Sequence, residues 1–244
     1  RTGILLGFVT GIVDQLISTQ PAIHGDEEIG QERMTHGLST PALRFLEATV
    51  EPRHRTLETG SGYSTIVFAA AGSDHAVVVP NEFEGKRIRE YCASAGIDDS
   101  RVAFHFEPSE CVLPGLPDDP LDVVLIDGSH SFPHTFIDWF YTAHRLQVGG
   151  WLLVDDVHLW TGRVLRDFLA EDPAWERVTE YLGRTALFRK VAETDADVLW
   201  TDQPVVVRRS GLATRARVQQ ALSMVRHGQR DELAGLVRRA LRRG

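Results

Sequence analysis

The middle of the chain repeats one pattern, in which a short β-rich run is followed by a turn and then by a segment with helical periodicity. Such alternation is typical of βαβ units, whose parallel strands lie side by side under packed helices. The clearest strand is Leu121 to Asp127, because its nearly continuous apolar run is expected of a strand covered on both faces. The pattern therefore predicts an α/β fold with a mostly parallel sheet and helices on both faces.

Seven strands are predicted, five of them separated by helices and the last two joined at Gly183-Arg184 as an antiparallel terminal hairpin. The predicted strands are Thr56 to Thr59, His75 to Pro80, Arg101 to Phe106, Leu121 to Asp127, Trp151 to Val154, Val178 to Leu182 and Thr185 to Lys190. The predicted helices of this core are Ser64 to Ala71, Glu84 to Ala95 and Pro133 to Leu146. Gly149-Gly150 is expected to open the fifth strand.

Both ends of the chain lie outside this alternation. Residues 1–40 are predicted to form a helical N-terminal lid. It consists of an amphipathic helix from Gly3 to Ile17 and a polar stretch, Ala22 to Leu38, for which a disordered connector is the alternative. Thr40-Pro41 suits the start of a further helix. The core is expected to span residues 41–192, and residues 193–244 to form a linker and a basic helical tail.

The charge of the chain is unevenly distributed. Of a net formal charge of −8, the segment from Arg208 onward contributes +8, with ten arginines against two acidic residues, so the rest carries −16. An acidic body argues against wholesale nucleic-acid binding. The tail is either a solvated amphipathic helix or a surface that binds RNA, an anionic membrane or a second subunit. The helices at both termini are candidate contacts of a homo-oligomer.

Neither the apolar stretches nor the cysteines indicate a membrane protein or an oxidising compartment. The stretch from Gly3 to Val13 is too short to cross a bilayer. Cys92 and Cys111 fit no zinc or redox spacing and are expected to be reduced. These features favour a cytoplasmic protein without a membrane span.

Polar or glycine-rich residues directly follow three of the predicted strands. These segments are Glu58 to Gly62, Asp127 to His130 and Asp155-Asp156. In an open parallel sheet, ligands bind at the carboxyl ends of the strands, near the point where the strand order reverses. We therefore expect the three segments to form one site.

The first of these segments suits a cofactor. Gly60 and Gly62 let the backbone approach a ligand, and the helix N-terminus that follows, with Ser64 in its first turn, can receive a carboxylate or a phosphate. Thr65 stands where a dinucleotide fingerprint needs a third glycine, which disfavours pyrophosphate. Glu58 suggests a cationic or hydroxyl-bearing cofactor, and a tight turn without a ligand is the alternative.

Three aspartates are predicted to meet at adjacent strand ends, namely Asp127, Asp155 and Asp156. Unneutralised carboxylates repel one another, and a hard divalent cation with oxygen ligands relieves that repulsion. Because neither a cysteine nor a paired histidine motif accompanies them, the set favours Mg²⁺ or Mn²⁺ over Zn²⁺. The alternative is that Asp155 caps the next helix and that Asp127 binds the cofactor alone.

His130 lies three residues beyond Asp127, on the loop that leaves the same strand. An imidazole there can take a proton from a hydroxyl group that the cation has made more acidic. His130 is therefore the predicted general base, and the alternative is a histidine that only forms a hydrogen bond within its loop. Trp160, placed on the loop after Asp156, is a candidate wall of the substrate pocket.

These residues resemble those of a known family. The chain resembles a class I S-adenosylmethionine-dependent methyltransferase in two segments and at Asp127, which lies between them. The segments are Leu57-Glu58-Thr59-Gly60-Ser61-Gly62-Tyr63-Ser64 and Gly149-Gly150-Trp151-Leu152-Leu153-Val154-Asp155-Asp156. Within that class the chain is similar to the metal-dependent O-methyltransferases of the catechol type and the macrolide-sugar type. The resemblance covers about Leu38 to Lys190 and implies a Rossmann-like fold.

The resemblance implies roles for particular residues. The methionine end of S-adenosylmethionine would be held at Glu58, Gly60, Gly62 and Ser64, and the adenine would lie along Ser109-Glu110. Asp127 would contact the cofactor and, with Asp155 and Asp156, hold the metal, while His130 would be the general base as in the macrolide-sugar type. One position departs from the family. Val79 stands where an acidic residue usually binds the ribose hydroxyls, and Asn81 or Glu82 is expected to substitute for it.

Together these inferences predict a methyltransferase that moves the methyl group of S-adenosylmethionine, with the help of Mg²⁺ or Mn²⁺, to a hydroxyl of a small molecule. A sugar diol or a catechol would fit chelation by the cation. The alternative is a non-catalytic binding or assembly protein on the same fold, for which Val79 is the best argument. The crowding of carboxylates beside His130 argues against that alternative.

Overall fold

The structure, a computed structural model, describes residues 11–24, 37–194, 199, 202–211, 219, 222–223 and 225–227. The chain divides into two compact units, residues 1–196 and residues 197–244. The first unit holds the sheet and the cavity discussed below. The described residues of the second unit include a short helix near its start.

A seven-stranded, mostly parallel sheet forms the first unit and confirms the predicted fold class. Its strands are β1 (Arg55–Thr59), β2 (Asp74–Val78), β3 (Val102–His105), β4 (Leu121–Ile126), β5 (Leu146–Val154), β6 (Trp175–Tyr181) and β7 (Thr185–Lys190). They are ordered β3-β2-β1-β4-β5-β7-β6. Strands β1 to β5 pair in parallel, β7 is antiparallel to β5, and β6 is antiparallel to β7.

Helices cover both faces of this sheet. They are α1 (Ile12–Thr19), α2 (Thr40–Thr49), α3 (Tyr63–Ala71), α4 (Glu82–Ala95), α5 (Ser109–Val112), α6 (His134–Ala143) and α7 (Trp160–Glu171), with a 3₁₀ turn at Leu113–Gly115, and α8 (Pro204–Arg209) belongs to the second unit. One face of the sheet packs against α1 to α4, and the other packs against α6 and α7.

The side chains of β4 show why this strand needs two helical layers. Val123 and Leu125 are buried with the helices of the first face, and Val124 and Ile126 with those of the second. Successive side chains of a strand point to opposite faces, so an uninterrupted apolar run is buried only between two layers. Burial of each such side chain stabilises the fold by about 1.5–3 kcal/mol.

The register of the parallel strands brings their carboxyl ends together. Thr59 pairs with Val78 of β2 and with Ile126 of β4, and Ile126 pairs with Val154 of β5. The chain runs from β1 outward to β2 and β3, and then returns to β4 on the other side of β1. The loops that follow β1 and β4 therefore meet where the strand order reverses, which is where ligands bind in such sheets.

The predicted boundaries around β5 were wrong. Helix α6 ends at Ala143, and Leu146, predicted to end that helix, begins β5. Gly149 and Gly150 lie inside the strand and do not precede it. A Cβ atom on Gly150 would lie 2.8 Å from Leu146 Cδ1 and 3.0 Å from the Asp122 carbonyl oxygen, so close packing within the sheet explains this glycine.

Other predicted boundaries also shift. Trp160, predicted on a loop, is the first residue of α7, and β6 begins at Trp175 where Val178 was predicted. Of the predicted helix Gly3 to Ile17, the structure describes α1 from Ile12, while residues 1–10 and 25–36 lie outside the described residues. Most of the predicted basic tail also lies outside them. Within the described ranges, no helix combines the length and the apolar character needed to cross a membrane.

Candidate functional site

A cavity of about 640 Å³ opens at the carboxyl ends of the parallel strands. This volume is in the range of pockets that bind cofactors and small molecules. Seven of the residues predicted for the site line it, namely Gly60, Asn81, Ser109, Glu110, Asp127, His130 and Asp156. Four others, Glu58, Gly62, Ser64 and Asp155, are not part of its lining. The strand ends thus come together as the topology requires, but their side chains divide into those that face the cavity and those that lie behind its wall.

Glu58 lies behind the wall. Its side chain is 1% exposed. One carboxylate oxygen accepts a hydrogen bond from the Ser64 hydroxyl (2.7 Å), while the other accepts one from the Thr65 hydroxyl and lies 3.1 Å from His75 Nε2. These contacts join β1 to the start of α3 and to β2. Glu58 therefore fixes the turn of the cofactor segment from within the core.

Gly60 is needed by the backbone of this turn. Its φ of +86° is in the left-handed region that side chains disfavour. A Cβ atom on Gly60 would lie 2.1 Å from the carbonyl oxygen of Asp127. The glycine therefore permits the β1 and β4 loops to touch, and its substitution would disrupt this contact even without a bound ligand. The sequence prediction explained Gly60 by the approach of a ligand, with a tight turn as the alternative, and did not include this contact between the two loops.

Helix α4 brings an acidic side chain to the cavity beyond Val79. Val79 is buried, and Glu82 is not part of the cavity lining. Glu84, in the first turn of the helix, does line the cavity and is 15% exposed. Asn81 caps the helix, because its side-chain oxygen accepts a hydrogen bond from the Phe83 N–H (3.1 Å).

Three neighbours hold the Glu84 carboxylate. The Ser61 hydroxyl donates to Oε2 (2.8 Å), the Asn81 amide donates to Oε1 (3.3 Å), and His24 Nδ1 lies 3.2 Å from Oε1. Burial alone would raise the pKa of Glu84, but its contacts with His24, Ser61 and Asn81 outweigh burial and lower it. Glu84 is thus an ionised acceptor that faces the cavity. Its spacing from Asn81 is that of a capping box, a signal that could have pointed to this residue.

Asp156, also part of the cavity lining, contacts two basic side chains. Its Oδ2 lies 3.0 Å from His130 Nε2, and its Oδ1 accepts a hydrogen bond from Arg184 Nε (2.8 Å). Although burial opposes ionisation, these contacts lower the pKa of Asp156 to about 2. His130 Nε2 is 3.8 Å from Asp127 Oδ1, so His130 stands between the two aspartates.

Asp155 and Asp127 have different surroundings. Asp155 is 1% exposed, and one of its oxygens accepts a hydrogen bond from the Thr185 hydroxyl. Its Oδ2 has no hydrogen-bond partner among the described residues and lies 3.7 Å from Arg184 Nε. Burial raises the pKa of Asp155. Burial, followed by the charges of Asp155, Asp156 and Glu58, raises the pKa of Asp127 well above its usual range.

These aspartates do not fit the predicted magnesium site. Both oxygens of Asp156 are engaged, by Arg184 and by His130, and one oxygen of Asp155 is engaged by Thr185. The part of the chain that the structure describes holds no group of three or more His, Cys, Asp or Glu side chains placed to bind a metal ion. The three strand-end aspartates lie close together as predicted, but protein side chains supply their partners.

Several cavity residues were missed by the sequence prediction. The most important are Arg184, which approaches from the turn between β6 and β7, and Glu84. His24 and His134 also line the cavity and were not predicted there. Arg184 is 28 positions from Asp156 along the chain, and no local spacing links the two residues. The antiparallel pairing of β5 with β7, in which Val154 is opposite Ala186, brings them together.

Two exposed aromatic rings contact each other outside the cavity lining, and one of them is Trp160, which was predicted to be a wall of the pocket. Phe132 is 66% exposed and Trp160 58%, with their ring centroids 6.1 Å apart. The Thr161 hydroxyl donates to the carbonyl oxygen of His130 (2.6 Å), which ties the start of α7 to the histidine loop. Apolar rings beside a polar site are typical of small-molecule pockets.

Comparisons with known proteins agree with this geometry. Residues 57–157 match the family Methyltransf_24, described as a methyltransferase domain. No curated protein matches the chain. Among solved structures, the chain is similar to TomG, an O-methyltransferase from Streptomyces achromogenes involved in tomaymycin synthesis and crystallised with S-adenosylmethionine, at 19% identity and a TM-score of 0.58 over 77% of this chain and 93% of that one.

Two further solved structures are similar. The O-methyltransferase from Bacillus cereus, crystallised with SAH, is 17% identical with a TM-score of 0.56 over 77% of this chain and 94% of that one. The cofactor-bound protein Rv0187 from MTB is 20% identical with a TM-score of 0.58 over 78% of this chain and 93% of that one. At these identities the structural similarities show a shared fold.

Proposed function

We propose that this chain is a class I S-adenosylmethionine-dependent methyltransferase that transfers the methyl group to a hydroxyl oxygen of a small molecule. The match of residues 57–157 to a methyltransferase-domain family supports this proposal. The observation that carries this proposal is the pairing of His130 with Asp156 at the edge of the cavity (3.0 Å). A hydroxyl becomes a good nucleophile only when it loses its proton, so a transferase of this kind benefits from a base at that place.

The residues present fit the cofactor. S-adenosylmethionine supplies an electrophilic methyl group on a sulfonium sulfur, and it also carries an ammonium group and ribose hydroxyls. Glu84, an ionised acceptor that faces the cavity, would hold the ribose hydroxyls in place of the acidic residue missing at Val79. Asp127 would hold the ammonium group, because the crowding that raises its pKa is relieved by a positive charge. Ser109 and Glu110 would lie along the adenine, as the resemblance implies.

The contact with Asp156 determines which ring nitrogen of His130 would accept the proton. When Nε2–H donates to Asp156 Oδ2, Nδ1 is left as the acceptor for the hydroxyl proton. The ionised carboxylate then stabilises the imidazolium that forms, as the aspartate does in other Asp–His pairs. Such a base accelerates transfer by about 10² to 10⁴. Metal assistance is not part of this scheme, in which the guanidinium of Arg184 is the cation beside Asp155 and Asp156.

The acceptor is proposed to be a ring-bearing small molecule such as a sugar diol or a catechol. Phe132, two residues after His130 in the chain, and Trp160 offer exposed ring surfaces outside the cavity lining, against which a ring-bearing acceptor could pack. The observed geometry favours neither of the two classes over the other.

The proposal is tested by calorimetric titration with S-adenosylmethionine and by methyl transfer to a panel of sugar and phenolic hydroxyls. His130→Ala is expected to lower turnover by about 10² to 10⁴ while leaving cofactor affinity unchanged, because the base acts in the transition state. His144→Ala, which alters an exposed histidine at the end of α6, is the matched control and should behave as the wild type. Wild-type turnover in the His130 variant would remove His130 from the mechanism.

A further inference from the structure

We propose that the guanidinium group of Arg184 is the resident cation of the acidic centre formed by Asp155 and Asp156, and that the methyl transfer proposed above therefore needs no bound divalent metal ion. The inference rests on that proposed function for its consequence in catalysis. The structural part of the inference, that Arg184 is the counter-ion of the two aspartates, rests only on the contacts of Arg184.

The fold places Arg184 at this position through its main chain. Arg184 follows Leu182 and Gly183, which both adopt the left-handed conformation at the turn between β6 and β7. Its N–H donates to the Tyr181 carbonyl (2.9 Å), and its own carbonyl accepts a hydrogen bond from the Val157 N–H (2.8 Å). The turn is thus attached directly to the loop after β5. Arg184 is not a long surface side chain that reaches the aspartates by chance.

The guanidinium occupies the place that a bridging cation would need. Arg184 Nε lies 2.8 Å from Asp156 Oδ1 and 3.7 Å from Asp155 Oδ2, so one nitrogen is close to both carboxylates. Mg²⁺ requires near-ideal octahedral geometry at about 2.0–2.1 Å from its ligands. A magnesium ion shared by these two oxygens would have to displace the guanidinium first.

Charge explains why the arrangement is stable as it stands. An arginine side chain stays protonated at all accessible pH values, so it permanently offsets one of the two carboxylate charges and no chelator can remove it. The Arg184 side chain is 34% exposed, and the carboxylates are 1% and 12% exposed. Burial of the acidic partners strengthens the attraction relative to that of a surface ion pair.

Arg184 also determines how Asp156 meets the histidine. With Oδ1 held by Arg184, the other oxygen of Asp156 is directed at His130 Nε2. Arg184 is therefore a positioning residue that acts on the proposed base through Asp156. Arg184, Asp156 and His130 form one chain of contacts along the cavity wall.

The experiment compares the wild type with Arg184→Ala, Arg184→Gln and Arg184→Lys. Arg177→Ala serves as the control, because Arg177 lies in the same hairpin and pairs with Glu180, outside the cavity lining. Two measurements need no methyl acceptor: calorimetric titration with MgCl₂, and the melting temperature in excess EDTA against millimolar MgCl₂. The third measurement is turnover in the same two conditions.

The wild type and Arg177→Ala are expected to show no heat of Mg²⁺ binding and the same melting temperature in both conditions. Arg184→Ala and Arg184→Gln leave the two carboxylates without their cation, so Mg²⁺ should raise their melting temperatures. In EDTA their turnover should fall by about tenfold or more, as for other residues that orient a functional side chain. Arg184→Lys restores a positive charge and should be insensitive to Mg²⁺, with turnover between those of the wild type and Arg184→Ala.

Saturable Mg²⁺ binding by the wild type, or a melting temperature that EDTA lowers, would overturn the proposal even if every Arg184 variant failed to fold. Arg184 variants that fold and respond to Mg²⁺ no more than Arg177→Ala would overturn it as well. Because the metal measurements use no substrate, they decide the role of Arg184 independently of whether O-methyl transfer is detected. An absence of methyl transfer together with the expected metal results would reject the proposed function alone.

Discussion

Glu58 and Asp156 are both carboxylates at the carboxyl ends of parallel strands, yet their surroundings differ sharply. Glu58 is 1% exposed, and its oxygens meet the hydroxyls of Ser64 and Thr65 and the ring of His75 in the core. Asp156 is 12% exposed and joins His130 to Arg184 at the cavity wall. The comparison teaches that position at a strand end does not make a carboxylate functional. The direction of its side chain, and the kind of group it meets, decide its role.

The two carboxylates are expected to respond in opposite ways to the loss of their charge. Asp156→Asn should lower turnover by about 100-fold or more, because the amide supports neither the orientation nor the positive charge of His130 during proton transfer. Its free energy of unfolding should change by less than about 1.5 kcal/mol, since Asp156 is partly solvated and carries a strained positive φ of 51° that asparagine tolerates.

Glu58→Gln should instead destabilise the fold by about 2–4 kcal/mol. A glutamine amide cannot accept the hydrogen bonds that reach both oxygens of Glu58, so a buried donor loses its partner. Urea unfolding and saturating turnover of the two variants, measured side by side, check the pair of predictions. Unfolding of Glu58→Gln at the wild-type urea concentration would contradict the structural role of Glu58. A loss of stability without a loss of turnover in Asp156→Asn would contradict the functional role of Asp156.

Glu84 sharpens the comparison at the cofactor end of the cavity. Glu84→Gln keeps the size of the side chain but loses the ionised acceptor, so S-adenosylmethionine affinity should fall by about 10- to 100-fold, equal to about 1.4–2.7 kcal/mol. Turnover at saturating cofactor should change much less, because Glu84 lies apart from the proposed base. Calorimetry with S-adenosylmethionine provides the measurement.

Glu82→Gln is the matched control for Glu84→Gln. Glu82 lies two residues away on the same helix turn, but it is not part of the cavity lining. Its variant should bind the cofactor as the wild type does. Equal losses in both variants would indicate that the helix terminus as a whole contributes, and that Glu84 does not recognise the ribose.

The fold was largely predictable because its signals are local. The apolar run of β4 and the glycine that ends α4, with Gly96 at φ +68°, are consequences of nearby residues. The end of α6 was not predictable in this way, since Leu146 fits the continuation of a helical stripe. Leu146 belongs to the sheet because it pairs with Leu121 of β4. The residues next to Leu146 in the sequence do not reveal that contact.

The loops that form the site were predictable from the sequence, but the contacts between their side chains were not. The strand-end positions of Asp127, His130 and Asp156 follow from topology, and all three line the cavity. The neutralisation of Asp156 by Arg184 depends on the antiparallel β5–β7 contact, which lies far along the sequence. Repulsion between carboxylates led to the expectation of a metal cation, and the structure places the guanidinium of Arg184 beside Asp155 and Asp156.

A smaller effect is expected at Asp138, a third carboxylate that extends the comparison to the helices. Asp138, on α6, is completely buried, and its Oδ2 accepts a hydrogen bond from the Thr59 hydroxyl (2.8 Å). Its Oδ1 has no hydrogen-bond partner within the described part of the chain. Burial raises the pKa of Asp138. Unlike Glu58, this acid is buried without enough donors to hold its charge.

The raised pKa fixes the sign of the pH dependence. The folded protein holds the proton of Asp138 more tightly than the unfolded chain does. The contribution of Asp138 to stability is therefore fully present below its unfolded pKa and is lost as pH rises through its folded pKa.

Asp138→Asn removes this pH dependence. The variant should be more stable than the wild type by about 1 kcal/mol or less at pH 8.5, and its advantage should shrink as pH falls toward 5. Urea unfolding across this range provides the measurement, with Asp167→Asn on the exposed side of α7 as the control that should show no such trend. A stability difference between Asp138→Asn and the wild type that stays constant from pH 5 to 8.5 would contradict this prediction. It would mean that Asp138 ionises in the folded protein as it does in the unfolded chain. Its unpaired oxygen would then be stabilised by a donor that the described residues do not provide.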